Sequence, residues 1–412
     1  PPRPLPAQDV LLLCMSDENY DDTTTMSLIR YDHQNNSGEN LVSGNTFMLV
    51  NPLLDDNGLV VQTFDFSGIG QWHTEIWQFD GENTSFSADD YFSFSLGQFD
   101  PTGRYAVTFV SNNDQEMPQP NLIDLASCDE TSCEAIPLSG LIFWSASGGQ
   151  TLVSSVNLFE NFAFLRNGRM VIVDTSQLPE VNDFWLGDSR GQLPAEGEAP
   201  LVMGRGYAPF WVDEETFGYI HFAEDGESAV VVDSVAGDAL RTLVTLADVQ
   251  ELVPDPIRTP AILRYVITHP AQPNLLIVVG LDALGQEAFV FSYDLESDAL
   301  VLQMQAPVSP YHSLGFSPNG RWLVLAGAGK HELGNVNTLY VHDLEKGQTQ
   351  TYISEYADFV YAPFYDWSAD GNWLLFLVDS RVLSMVAPEY EYQLVFAHEQ
   401  GPCSSMAWIN YE

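Results

Sequence analysis

An all-β fold, a β-propeller of four-stranded antiparallel blades, is what this sequence predicts. Three observations predict it: a hairpin that recurs, the spacing of its copies, and a second turn signature that follows each copy. The hairpin is clearest in SLGFSPNGRWLVLAGAG (residues 313–329), two apolar runs hinged on Pro318, Asn319 and Gly320, and again in YDWSADGNWLLFLVD (residues 365–379). Gly, Asn and Asp between apolar runs supply the backbone freedom and local hydrogen bonds that a tight turn needs.

Further copies centre on Gly58 (NPLLDDNGLVVQTF), Gly103 (GQFDPTGRYAVTFV), Gly149 (FWSASGGQTLVSSV), Thr216 (FWVDEETFGYIHF) and Asn274 (ITHPAQPNLLIVVG). The seven turns are spaced 45, 46, 67, 58, 46 and 51 residues apart. With two insertions allowed, that is close to the roughly 40 to 50 residues of a propeller blade. The second signature is an Asp at a strand end with Gly or Ser soon after, as in EIWQFDGENTS, PNLIDLAS, RMVIVDTS, SAVVVDSVAGDA, AFVFSYDLESDA and TLYVHDLEKGQT. Asx-type hydrogen bonding starts a turn there, so each unit reads as a four-stranded meander.

The termini set the blade count. DVLLLCMS, TMSLIRYDH and ENLVSG open the chain as three strands with no preceding turn hairpin, and CSSMAWINY ends it as one strand with no successor. If SMAWIN is the innermost strand of a blade whose other three come from the N-terminal segment, the ring closes and no edges stay exposed. Eight blades are expected on this count, seven being the alternative. Residues 1–8 read as a Pro-rich linker exposed after processing, and 9–412 as one propeller domain.

The F-S-P-N-G-R-W-L-V and L-Y-V-H-D-L-E-K-G segments resemble the WD40-like repeats of TolB-type periplasmic proteins and related bacterial secreted propellers. The blades around Gly103, Gly320 and Gly371 keep the pattern best. The resemblance implies an exported propeller; the helical N-terminal domain of TolB has no counterpart here, so its partners do not carry over.

Composition narrows the function. Of 412 residues, 45% are hydrophobic, enough for an ordered core, and 57 acidic residues face 14 basic ones, a net charge of −43. Lysine occurs only at Lys330 and Lys346. Such a charge opposes contact with phosphate backbones and anionic lipid and suits cations or basic partners, although a salty or acidic habitat gives the same composition. No apolar run approaches the roughly 18 residues of a membrane-spanning helix.

Chemistry-bearing motifs are few. GDSRG (residues 187–191) fits G-x-S-x-G, but an elbow needs a helix after it, and Pro194 and Pro200 oppose one. No HExxH, C-x-x-C or P-loop string occurs. The tryptophan docking motifs and adjacent cysteines of quinone-dependent propellers do not occur either, and the blades are expected to use the whole of this sequence, leaving none of it for the separate hydrolase domain of prolyl-peptidase propellers. SDENYDD (residues 16–22, with Asp17, Asp21 and Asp22) and SNNDQE (residues 111–116, with Asp114) could give a calcium ion part of its oxygen shell. Neither has the D-x-D-x-D-G order, and both read first as solvated loops, so no cofactor is expected. Asn35 and Asn83 lie in glycosylation sequons. His73, His312 and His331 are scattered.

The longest irregular segments fall between the second and third strands of the units or in the connections between blades: DENYDDTTT, DFSGIGQWHT, SNNDQEMPQP, GAGKHELGN and the connection around Phe184 and Trp185. Trp72, His73, Asp114, Trp185 and His331 are therefore the expected contributors to a binding face, because long loops on a fixed scaffold carry function. The expected role is a non-enzymatic binding or assembly module for a protein, polymer or cation-bearing surface. A propeller hydrolase or lyase acting on carbohydrate or peptide is the alternative, as is a structural subunit of a larger extracellular assembly.

Four cysteines allow three pairings. The shared closing blade selects one: SMAWIN antiparallel to DVLLLCMS sets Cys403 beside Cys14, leaving Cys128 and Cys133 to pair within CDETSC. Two such bridges imply an oxidising, extracellular or periplasmic location.

Overall fold

The computed structural model describes residues 8–15, 25–44, 47–52, 58–65, 71–78, 84–88, 98–99, 105–110, 119–124, 135–137, 140–144, 150–155, 183–188, 202–213, 215–222, 227–234, 239–253, 258–331, 334–354, 365–379, 381–397 and 402–409. Of these, positions 42, 44, 47–207, 209, 222, 308–313, 328–337, 354 and 404–405 are described by backbone alone. Apart from one short α-helix and a 3-10 turn, the regular structure among them is β.

The strands run in chain order into antiparallel sheets. β1 (Val10–Met15), β2 (Met26–Asp32) and β3 (Ser37–Gly44) come first, then β4 (Phe47–Pro52), β5 (Gly58–Asp65), β6 (Gln71–Gln78) and β7 (Thr84–Ala88) as a second sheet. β8 (Gln98–Phe99), β9 (Tyr105–Val110), β10 (Gln119–Asp124) and β11 (Ala135–Pro137) make the third. Seven strands then lie side by side: β12 (Gly140–Trp144), β13 (Gln150–Ser155), β14 (Asp183–Asp188), β15 (Val202–Trp211), β16 (Thr216–Phe222), β17 (Ser228–Ser234) and β18 (Arg241–Thr245). The helix α1 (Leu246–Glu251) follows. β19 (Ile262–Thr268), β20 (Leu275–Leu281), β21 (Ala288–Asp294) and β22 (Ala299–Ala306) form the next sheet. After it come β23 (Val308–Phe316), β24 (Trp322–His331), β25 (Gly334–Asp343) and β26 (Gln348–Ser354), then β27 (Tyr365–Trp367), β28 (Leu374–Asp379), β29 (Val382–Ala387) and β30 (Tyr392–Ala397). The last strand, β31 (Cys403–Trp408), pairs with the first, giving the order β3-β2-β1-β31.

By contact density the chain forms two compact units, one of residues 1–95, 128–133 and 310–412, the other of residues 96–127 and 134–309. In the first unit the pattern of β28 shows how core is made. Leu374 and Phe376 point into a cluster with Trp322, Val324 and Val341, while Leu375 and Leu377 point the other way, among Leu12, Tyr31 and Met406. A strand buried on both faces has no reason to alternate polar and apolar residues, hence LLFLV. Each such side chain contributes about 1.5–3 kcal/mol of transfer free energy. β20 in the second unit is the same case, five consecutive buried positions in LLIVVGL.

The turns explain why the hairpin recurs. Ser317 N–H donates to the Trp322 carbonyl (2.9 Å), Trp322 N–H donates to Ser317 Oγ (3.0 Å), and Gly320 N–H closes onto the Ser317 carbonyl (2.8 Å). Asn319 Oδ1 accepts from Ser317 Oγ and from Arg321 N–H. In the next sheet Ser368, Asp370, Gly371, Asn372 and Trp373 repeat every one of these bonds. Gly320 and Gly371 sit at φ 75° and 64°, the left-handed region that glycine enters without cost from a Cβ. Around Asn274 the serine is replaced by His269, whose Nδ1 accepts from Ala271 and Gln272 N–H.

The second signature is also built as its residues require. Asp343 Oδ1 accepts from the N–H groups of Glu345 and Lys346, Asp294 Oδ1 from Glu296 and Ser297, and Asp32 Oδ1 from Gln34 and Asn35. Tyr31 OH donates to Asn36 Oδ1 and Tyr293 OH to Asp298 Oδ1, each at 2.6 Å, with Asn36 and Asp298 at positive φ. The first sheet thus uses the same turn device as the sheets of Asp294 and Asp343.

One strand assignment differs from the sequence reading. The neighbour of β13 is DFWLGD, Asp183–Asp188, whereas RMVIVDTS lies outside the described residues. Phe184, Trp185 and Leu186 are strand formers in sequence, and their segment takes the place that the Asp-ended signature was expected to fill.

Candidate functional site

The sheet geometry separates two ends of each hairpin. In β24 and β25 the pair Trp322↔Asp343 lies at one end and His331↔Gly334 at the other. The first end is tied down by charge. Arg321 Nη2 contacts Asp343 at 2.9 Å, Nη1 contacts Glu389 at 3.3 Å and Nε contacts Glu345 at 3.5 Å, while the guanidinium carbon lies 4.8 Å from the Trp322 ring centroid. Its hydrogen bond to Asp343 raises the Arg321 pKa above an already high value. Burial works to raise Asp343, but the bonds from Arg321, Glu345 N–H and Lys346 N–H outweigh it and hold the carboxyl below its usual value. Asn319 Nδ2 reaches the carbonyls of Asp370 and Gly371 in the adjoining turn.

The other end carries the connections between second and third strands, at positions 16–25, 66–70, 111–118, 156–182, 223–227, 282–287, 332–333 and 380–381, and among the described ones Asp282 and Asp379 accept backbone N–H bonds there too. Of the binding-face residues expected from sequence, Trp72, His73 and His331 lie on strands near this end of their own sheets and Trp185 lies at mid-strand, with three corrections to their setting. Trp72 and His73 are not in an irregular loop: they are strand residues of β6, in register with Phe64 and Thr63, because QWHTEIWQ is rich in strand formers. Trp185, expected in a long connection, is on β14 opposite Val153. GAGKHELGN is a regular hairpin, its pairing running to Lys330↔Asn335 and His331↔Gly334 and leaving only positions 332 and 333 as its turn. The side chains of these four residues, and the whole of Asp17, Asp21, Asp22 and Asp114, lie outside the described residues.

Cys14 and Cys403 are joined by a disulfide across the β1–β31 pair. Cys128 and Cys133 lie outside the described residues, as do Ser189 of GDSRG and Asn83. Asn35 sits in the exposed turn after β2 with its Nδ2 donating to Asp32 Oδ2. Among the described residues no group of three or more His, Cys, Asp or Glu is placed to hold a metal ion. No helix among them is long and apolar enough to cross a membrane.

A cleft of about 410 Å³ in the second unit escaped the sequence reading. Arg241, Asp248 and Glu251 come to it from β18 and α1, Tyr293 and Asp298 from the β21–β22 turn. Thr242, Leu243, Leu252 and Leu300 complete its wall. Asp248 is held by the capping box of α1, its Oδ2 accepting from Thr245 N–H (2.8 Å) and Oγ1 (2.6 Å). Burial first, then the bond to Asp298 and its charge, push the Tyr293 phenol up to about 12, so it remains a donor at neutral pH. Residues from two sheets, some fifty positions apart, meet here; the Tyr–Asp–Asp spacing of YDLESD is the only sequence signal, and it reads as a turn.

Solved structures resemble this architecture. An oligogalacturonate lyase in complex with manganese matches over 90% of this chain and 94% of its own at 15% identity, with a TM-score of 0.51. AztD from Citrobacter koseri matches over 98% of both chains at 12% identity, TM-score 0.52. These are β-propellers. The likeness shows that fold. TolB from Acinetobacter baumannii is similar at 13% identity over 97% of this chain and 82% of its own, with a TM-score of 0.39. No family model matches the chain, and no curated protein does.

Proposed function

We propose that the chain is an exported, acidic eight-bladed propeller, one domain from residue 9 to 412, that acts as a binding or assembly module through the second-to-third-strand end of its blades. The blade count divides the seven-stranded sheet between β14 and β15 and counts the β3-β2-β1-β31 sheet as the closing blade. The observation that carries the functional reading is the contrast between sheet ends. At the turn end, side chains are committed to Ser–Trp bonds in two adjoining sheets and to Asx bonds in three, with Arg321 adding its ion pairs in one. At the opposite end the connections vary in length from positions 332–333 and 380–381 to the interval 156–182, and in sequence Asp17, Asp21, Asp22 and Asp114 fall within such intervals. Constant bonding at one end and variable length at the other is how a scaffold presents recognition loops. The Cys14–Cys403 bridge supports export, since such bonds persist in oxidising compartments.

The partner chemistry that fits is cationic: a basic protein segment or polymer. Immobilised protein titrated with poly-lysine, with polyglutamate and neutral dextran as controls, tests this against two variants of equal charge. Asp17, Asp21 and Asp22→Asn changes the loop end; Glu215, Glu296 and Glu345→Gln changes the turn end. The loop variant is expected to lose about tenfold in poly-lysine affinity and the turn variant much less, because exposed charges beyond a Debye length are screened. Equal losses would remove the loop end from the reading, as would unaltered binding when Trp72 and Trp185 are both changed to Ala. Calcium and manganese are separate arms, prompted by the metal named with the lyase structure. Turnover of any oligosaccharide or peptide in a panel, with or without either ion, that survives repurification and is lost on carboxylate substitution would replace binding by catalysis.

A further inference from the structure

The cleft between α1 and the β21–β22 turn carries a second inference, independent of the loop-end reading. We propose that it binds a small apolar α-amino acid as a zwitterion, Arg241 taking the carboxylate, Glu251, Asp248 and Asp298 the ammonium, and Leu243, Leu252 and Leu300 the side chain. At about 410 Å³ the space falls in the range of small-molecule sites, roughly 300–1,000 Å³.

The charges select the class of ligand. A simple anion would meet three carboxylates, and a simple cation would meet Arg241; a molecule carrying both signs at short separation satisfies each group. Among the described residues the ion pairs of this unit include Arg258 with Glu287, but none joins Arg241 to the carboxylates around it, so both signs face the same space unneutralised by one another. The acceptors are also preset. Tyr293, itself only 4% exposed, donates to Asp298 Oδ1 at 2.6 Å, and Asp298 sits at φ 55° in the turn. The Thr245 bonds fall on Asp248 Oδ2. One oxygen of each carboxylate is therefore left for an ammonium, and little side-chain freedom is lost on binding. The leucines give the cleft an apolar wall beside its charges, and Leu252 is 39% exposed where a ligand would cover it.

Isothermal titration of the full chain at low ionic strength uses L-leucine, 3-methylbutylamine, which lacks the carboxylate, and 4-methylpentanoate, which lacks the ammonium. Leucine is expected to bind saturably and each analogue at least about tenfold more weakly. Arg241→Gln should bring leucine down to the level of the amine, and Glu251→Gln should weaken leucine by about tenfold; both residues are exposed, so thermal midpoints should not move. The Asp17, Asp21 and Asp22→Asn variant should bind leucine as the parent does, which separates this site from the loop end. No saturable heat with leucine up to about 10 mM would overturn the proposal. So would amine binding as tight as leucine, or leucine binding unchanged in Arg241→Gln. The analogue series on the parent chain decides the matter even if a variant does not fold.

Discussion

His342 and Asp343 show at the scale of single residues how this chain keeps polar groups inside. His342 is 0% exposed, its Nδ1 2.9 Å from Thr349 Oγ1, and burial lowers its pKa against the upward pull of the neighbouring Asp343. The fold therefore favours the neutral imidazole. An unfolded chain takes up the proton at a higher pH, near 6.5, so stability from this residue is complete above that value and is lost as pH falls through the lower folded pKa. Asp343 adds a second loss, which begins only below its unfolded value near 3.8, because its folded pKa is also depressed. Between pH 7 and 5, then, the histidine acts alone of the two. His342→Asn should lose less stability than the parent across that interval in thermal or urea unfolding, the remaining histidines contributing alike to both. Parallel curves would mean that His342 is not held neutral.

At the scale of elements, the hairpins were legible in the sequence because their chemistry is local. Ser317, Asn319, Gly320 and Trp322 lie within six positions and satisfy one another, so the same letters at Ser368, Asp370, Gly371 and Trp373 make the same turn. The bolt between the two turns was not legible. Asn319 Nδ2 bonds the carbonyls of Asp370 and Gly371, and a Cβ built on Gly371 would come 2.7 Å from that nitrogen. Gly371→Ala therefore meets both a left-handed φ and a steric conflict, and should cost about 1–3 kcal/mol in chemical denaturation. Gly347→Ala, at φ 65° with open space around it, should cost about 1–2 kcal/mol, from backbone strain alone. If Gly371→Ala is no worse than Gly347→Ala, the Asn319 contact adds nothing to the packing of adjoining turns. Strand limits are less legible than turns: the glycines of DFSGIG hide where pairing begins before Trp72 and His73, and for Trp185 pairing depends on a partner strand elsewhere, at Val153.

For the whole molecule, the closing arrangement follows from a count of unmatched strands. Three at the start and one at the end leave a deficit and a surplus that only each other can fill, and the structure pairs Val10↔Trp408 through Leu13↔Ser405. Asp366 strengthens the junction with the preceding sheet: its Oδ1 accepts from Trp367 N–H and its Oδ2 from Trp408 N–H, at 2.8 and 2.7 Å. The Cys14–Cys403 bond spans 389 positions of sequence. By loop-closure entropy a bridge of that span has a ceiling of about 6 kcal/mol, and the expected contribution is the about 2–4 kcal/mol typical of disulfides. The cleft at Arg241 could not be found in this way, since nothing in the repeat pattern says which surface residues of two sheets will face one space.

Non-reducing peptide mapping of protein from its native source, alkylated before digestion, tests this architecture and the oxidising location together. The account predicts a Cys14–Cys403 peptide, a Cys128–Cys133 peptide and no alkylated thiol. A Cys14–Cys128 link, or four alkylated cysteines in the folded protein, would contradict the shared terminal sheet's role as a covalent seal and the export that rests on it.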